Sequence, residues 1–203
     1  MKSLLLLLTF ILYTSSGFCQ KVENKKEKQS FPIMIAFSTH SYSWPIVKSF
    51  VIPIQPGFKL GTEYVYSAKR NHILLQSFNL GYFHNPEFLN AYYLNSYFKY
   101  RYTTPFYLYF DAAIGAGYFH RQHAREVFKL NDDGVYESKT DWGSPGVQGG
   151  VSLGTGYNIN VNNKQLSLFV NYEWFVIYPH VKGEIPFLPH SLYHIGIRYY
   201  PFK

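Results

Sequence analysis

The run HRQHAREV places His120 and His123 three residues apart, and imidazole pairs of this kind bind zinc when a third and fourth ligand join them. Two histidines alone make an incomplete set, so the run is expected to be a solvated loop. Asn131-Asp132-Asp133-Gly134 offers carboxylates for calcium, but the acidic set is too short for a calcium loop and suits a turn. Gly154-x-Gly156 has the spacing of a phosphate-binding turn. A nucleotide loop would open a helix, and none follows. No metal and no cofactor are expected.

The more informative chemistry is a scatter of charges inside otherwise apolar or aromatic segments: Lys59, Glu63, Lys99, Arg101, Asp111, Glu173 and Arg198. Four are cationic and three anionic. Charges of mixed sign need no balance on a wet surface, but they must pair when enclosed. Which applies depends on the elements that carry them.

Those elements alternate with a period of two, the pattern of a strand with two different faces. In FKLGTEYVYS, Phe58, Leu60, Tyr64 and Tyr66 oppose Lys59, Gly61 and Glu63. In YYLNSYFKYRY, Tyr92, Leu94, Phe98, Tyr100 and Tyr102 oppose Asn95, Tyr97, Lys99 and Arg101. The same alternation runs through LQSFNLGYF, FYLYFDAAIGAGYF, GVQGGVSLGTGY, LSLFVNYEWFVIY and LYHIGIRYY, and an eighth strand is expected in IMIAFSTHSYS. Pro45, Pro53 and Pro56 exclude a central strand and mark residues 43–56 as a connection. Short connections at Ala68–Asn71, Thr103–Pro105 and Asn158–Lys164 alternate with those at Pro45–Pro56, Asn85–Glu87, His120–Ser144 and Pro179–Pro189. Such alternation describes an up-and-down meander with two distinct ends.

Three features place the polar face inside. Glycine and alanine crowd it, at Gly61, Gly81, Ala113, Gly115, Gly117, Gly150, Gly154, Gly156 and Gly196, which a narrow lumen needs and a wet surface does not. Its charges are mixed. Aromatic residues on the opposite face gather toward strand ends, at Tyr64, Tyr66, Tyr82, Tyr100, Tyr102, Tyr118, Tyr157, Tyr172, Tyr178 and Tyr199, as at the two boundaries of a membrane. The expected fold is therefore all-β: a closed antiparallel up-and-down transmembrane β-barrel of eight strands. The competing arrangement is a secreted soluble β-protein with the apolar face inward. In the barrel the seven charges would form a lumen plug rather than line a pore, because eight strands leave room only for side chains.

The chain has 203 residues, of which 20% are aromatic and 15% charged. A basic start, the apolar run Leu4–Tyr13 and small residues near Cys19 describe a signal peptide over residues 1–19, with cleavage leaving Gln20 first. The exported chain would then lack cysteine. Much of the net charge of +7 lies in Lys21, Lys25, Lys26 and Lys28, within a charged flexible tail over residues 20–30. Export argues against nucleic acid as the partner of that charge. Residues 31–203 are left for the barrel, as one domain and a monomer.

With its signal peptide, alternating strands and closing segment HIGIRYYPFK, the chain resembles the small eight-stranded bacterial outer-membrane barrels. The resemblance implies residence in the outer membrane, with lipid and lipopolysaccharide as neighbours, long loops outside and termini in the periplasm. It also implies delivery by the outer-membrane assembly machinery, read from Ile195, Ile197, Tyr199 and Phe202, although Lys203 follows where the family ends on an aromatic. Some members trim or acylate lipid A with serine, histidine and an acid near the rim; such an enzyme, or a small hydrophobic-ligand channel, is the alternative reading of this chain. For such an enzyme the candidates are His40-Ser41, His84, His120, His123 and His190-Ser191, with Glu126 or Glu184 as acid. Neighbours on a strand face opposite ways, so neither His-Ser dipeptide is itself a dyad. A structural or surface-interaction role is the leading expectation.

Overall fold

The computed structural model describes residues 31–42, 55–131, 134–161, 164–179 and 187–201. The expected signal peptide and tail, Phe202 and Glu184 lie outside the described residues. Eight long antiparallel strands close on themselves: β1 (Ile33–Ser41), β2 (Pro56–Lys69), β3 (His72–Asn85), β4 (Leu89–Thr103), β5 (Leu108–His123), β8 (Ser144–Val161), β9 (Lys164–Tyr178) and β10 (Leu188–Tyr200). Each pairs with its neighbour in sequence, and β1 closes the ring on β10, from Ile33 opposite Tyr199 to Ser41 opposite Ser191. A separate hairpin, β6 (Val127–Leu130) with β7 (Tyr136–Lys139), stands in the connection between β5 and β8.

Strand length suits a bilayer. The 14 residues of β2 extend about 46 Å at ~3.3 Å each, and at ~45° of tilt they cover roughly 33 Å, against a hydrocarbon core of ~30 Å. Burial is inside-out relative to a soluble protein. Leu94, Ile114, Leu153 and Ile195 are 56–65% exposed, while Glu63 and Glu173 are 1% exposed.

The β2–β3, β4–β5 and β8–β9 connections leave from the same end as Phe31 and Pro201, the first and last described residues; the β1–β2, β3–β4, β5–β8 and β9–β10 connections leave from the other. Several expected boundaries shift. Asn158–Lys164 is mostly strand, because the β8–β9 ladder continues to Val161 opposite Lys164 and supplies partners that an asparagine-rich segment lacks alone. Likewise β5 runs to His123, and Pro189 lies within β10 rather than in the loop. Tyr107, expected on the inner face, belongs to the turn before β5, at φ 64°.

The interior fills in layers. The charged residues run from mid-barrel toward the short-turn end, where Ala36, Tyr109 and Phe169 pack among them. Toward the loop end lies an apolar plug of Phe83, Leu89, Ala91, Tyr93, Phe119, Phe175, Ile177 and Leu192. Gly81 makes room for it: a Cβ there would collide with the Tyr93 ring. The polar-inside expectation omitted this aromatic layer.

Candidate functional site

The seven charged residues named above are all buried inside the ring and meet in two clusters. Glu63 of β2 anchors the first. It accepts from Arg101 Nη1 at 3.1 Å and Nη2 at 2.9 Å, Arg198 Nη2 at 3.0 Å and Lys99 Nζ at 3.3 Å. Arg101 turns its Nε to Asp111 Oδ1 at 2.7 Å and its Nη2 to Oδ2 at 2.9 Å, a bidentate pair between β4 and β5. Arg198 also donates to the Tyr109 hydroxyl at 3.0 Å, and both guanidinium groups lie over the Tyr109 ring, at 4.7 and 5.2 Å from its centroid. Planar forks with many donors suit this crowding better than ammonium groups would.

Glu173 of β9 anchors the second cluster, accepting from Lys59 at 3.3 Å, Asn95 at 2.8 Å and Tyr97 at 2.8 Å. It also meets His194 Nε2 at 3.1 Å, and His194 Nδ1 meets Ser38 Oγ at 3.0 Å. An ionised carboxylate only accepts, so the network assigns the His194 proton to Nε2 and leaves Nδ1 to receive the Ser38 hydroxyl hydrogen. Ser38, His194 and Glu173 thus have the connectivity of a serine hydrolase triad. Their surroundings forbid that chemistry. All three are about 1% exposed, and the adjoining lumen cavity holds about 20 Å³, space for a single water rather than an acyl group. The arrangement can orient and neutralise, not turn over substrate.

Sequence reasoning put His194 on the polar face without singling it out. The signal was available in the register, since Ser38 stands directly opposite His194 in the β1–β10 pair.

Of the residues proposed for rim chemistry, His40 and His190 meet each other, but that bond brings neither of them to a proposed serine or acid. His40 Nδ1 bonds Gln55 Oε1 at 2.6 Å and its Nε2 bonds His190 Nδ1 at 2.7 Å, within the apolar plug where His40 stacks on Phe83 and His190 on Phe175. Ser191 faces the other way and bonds the Tyr172 hydroxyl at 3.0 Å. His84 meets Asn90 Oδ1 at 2.7 Å. His120 bridges the Tyr118 hydroxyl at 2.9 Å and the Trp142 carbonyl at 3.1 Å. His123 reaches Asp141 Oδ2 at 2.9 Å, and Glu126 is exposed. Asp141 also accepts the backbone N–H groups of His123 and Gly143. The His123 backbone bond does most to hold its carboxyl below the usual range. Among the described residues, no three histidines, cysteines or acids gather as a metal set.

The outer face carries the tyrosines. Tyr64, Tyr66, Tyr100, Tyr102, Tyr157 and Tyr199 lie toward the short-turn ends of their strands; Tyr82, Tyr118 and Tyr178 lie toward the loop ends. Tyr172 sits mid-strand in β9, its ring 4.8 Å from that of Tyr193.

No protein-family model matches the chain, and no curated protein matches it in sequence. Solved structures do match in fold. Neisserial surface protein A aligns with a TM-score of 0.51 at 12% identity, over 86% of this chain and 97% of that one. The outer-membrane enzyme PagL gives 0.48 at 9%, over 82% and 97%. Ail, the attachment invasion locus protein of Yersinia pestis, gives 0.41 at 15%, over 84% and 96%. The chain has the fold of the small eight-stranded outer-membrane barrels.

Proposed function

We propose that the protein is an integral barrel of the bacterial outer membrane with a structural or surface-interaction role. Its short turns and termini face the periplasm and its longer connections face outward. One observation carries this reading: aliphatic side chains such as Leu80, Leu94 and Ile114 cover the outside at 55%, 56% and 65% exposure, around buried ion pairs. Withdrawing each such side chain from water is worth ~1.5–3 kcal/mol, and lipid supplies that environment on every side of the ring. The two tyrosine bands would then lie at the boundaries, with phenol tips in the wet layer.

The cross-lumen ion pairs and the aromatic plug favour a closed barrel over a channel. The Ser38–His194–Glu173 connection is enclosed beside a 20 Å³ cavity, which disfavours a lipid A-modifying enzyme. Migration on an unboiled gel tests the membrane reading. The folded barrel should run differently from the boiled chain and should fractionate with outer membranes. Identical migration, with recovery in the soluble fraction, would overturn it. An altered lipid A mass spectrum in cells carrying the protein would restore the enzyme reading.

A further inference from the structure

Above the aromatic plug, at the loop end, the barrel holds a cleft of about 910 Å³. Its apolar walls are Tyr42, Phe88, Leu89, Pro145, Pro179 and Leu188. Leu89 belongs both to the plug and to the cleft, so the plug's roof is the cleft's floor. Tyr42 packs its ring against His40 at 4.7 Å and Phe88 at 5.9 Å, and Phe88 is 60% exposed. Burial pushes the Tyr42 phenol up to about 12, so that wall is neutral at ordinary pH.

The polar side of the cleft is formed by Arg121, Gln122, His123 and Ser144, and Arg121 supplies its fixed positive charge. Arg121 lines it, half-buried, with Nη2 donating to the Pro179 carbonyl at 2.9 Å, which fixes the guanidinium at the wall. No Asp or Glu stands among the described lining residues. A mostly apolar concavity of this size with one placed charge is the usual form of a small-molecule site. The charge selects the ligand's sign.

We infer that this cleft binds a single-chain anionic amphiphile, a long-chain carboxylate whose tail lies against Phe88, Leu89 and Leu188 and whose head meets Arg121. The cleft is lined at the loop end, away from the mid-strand aliphatic belt, so its occupant is a free amphiphile rather than an acyl chain of the surrounding bilayer. The inference deepens the membrane reading above and rests on it only for which end of the barrel is reached from outside.

Equilibrium dialysis of labelled dodecanoate against the full chain in phosphatidylcholine nanodiscs, with empty nanodiscs as control, tests it. Wild type should bind one dodecanoate above the control, about tenfold more tightly than dodecanol, the difference a charge-assisted hydrogen bond supplies. Decanoate should bind about fifteenfold more weakly than dodecanoate, at ~0.8 kcal/mol for each of the two CH2 groups that the cleft no longer buries. Arg121→Gln should bring acid and alcohol to parity, and Phe88→Ala should weaken both alike. Equal affinity of wild type for acid and alcohol, or no binding above empty discs by protein that shows the folded-barrel gel shift, would overturn the site. One-to-one dodecanoate binding by protein recovered without lipid or detergent would keep the site and overturn the membrane reading instead.

Discussion

Glu63 is the residue on which the lower lumen turns, because three cations reach it and it is 1% exposed. Removing one partner of a buried ion cluster leaves uncompensated charge, at a cost of ~3–5 kcal/mol. Glu63→Gln should lower the unfolding free energy obtained from urea titration in lipid vesicles by that amount, and the midpoint with it, whereas Glu126→Gln on the exposed loop should change both little. Equal midpoints for the two variants would remove the network from any role in holding the barrel together. Asp141 offers a test outside the membrane span. Its lowered pKa means that its bonds stabilise the loop at pH values above the ordinary carboxylate range of ~4. That contribution is lost as pH falls through the lowered folded value. The backbone amide resonances of His123 and Gly143 should titrate together in that acidic window, and Asp141→Asn should abolish the titration. The charged residues were legible because each breaks an apolar alternation. Their partners were not, since contacts across the lumen depend on strand stagger. The aromatic plug shows the same limit: Phe83 has the parity of Gly81 and Phe119 that of Gly117, yet a rule of polar interior residues passes over both.

At the scale of elements, period-two alternation located all eight barrel strands, because one face of each must stay apolar along its whole length. It failed where composition competes with pairing. Asn158–Lys164 reads as a turn by residue type, but the ladder from Asn158 opposite Ser167 to Val161 opposite Lys164 overrides that preference. The hairpin β6–β7 escaped notice because it is only four residues a side, VFKL against YESK, too short for a period of two to stand out. It pairs with itself alone, and two strands by themselves are marginal in water. Replacing residues 124–143 with a short glycine-serine turn should therefore leave the barrel able to fold and keep its gel shift. Loss of that shift would mean that the hairpin organises the β5–β8 pairing. The plug, the cleft and the His40–His190 contact lie toward the loop ends of the strands, where residue type marks boundaries poorly, whereas His194 lies mid-strand in β10.

At the scale of the molecule, one arrangement of faces explains the composition. A chain that is 20% aromatic and carries buried ions of mixed sign has no sensible place for either in a small water-soluble core. Turned inside-out, many of the aromatics cover the outer face and the ions meet one another. The match in fold to neisserial surface protein A fits that arrangement, while its 12% identity leaves the activity to be read from this chain's own residues. The orientation of faces is open to direct measurement. Cys19, within the expected signal peptide, is the chain's only cysteine, so single cysteines can be introduced along β4 at Leu94, Asn95, Phe98 and Lys99 without background. Spin labels at these sites, in lipid vesicles, report their collision rates with oxygen, which concentrates in lipid, and with a water-soluble nickel chelate. Labels at 94 and 98 should collide freely with oxygen and scarcely with nickel, while labels at 95 and 99 meet little of either. High nickel accessibility at 94 and 98 would contradict the account.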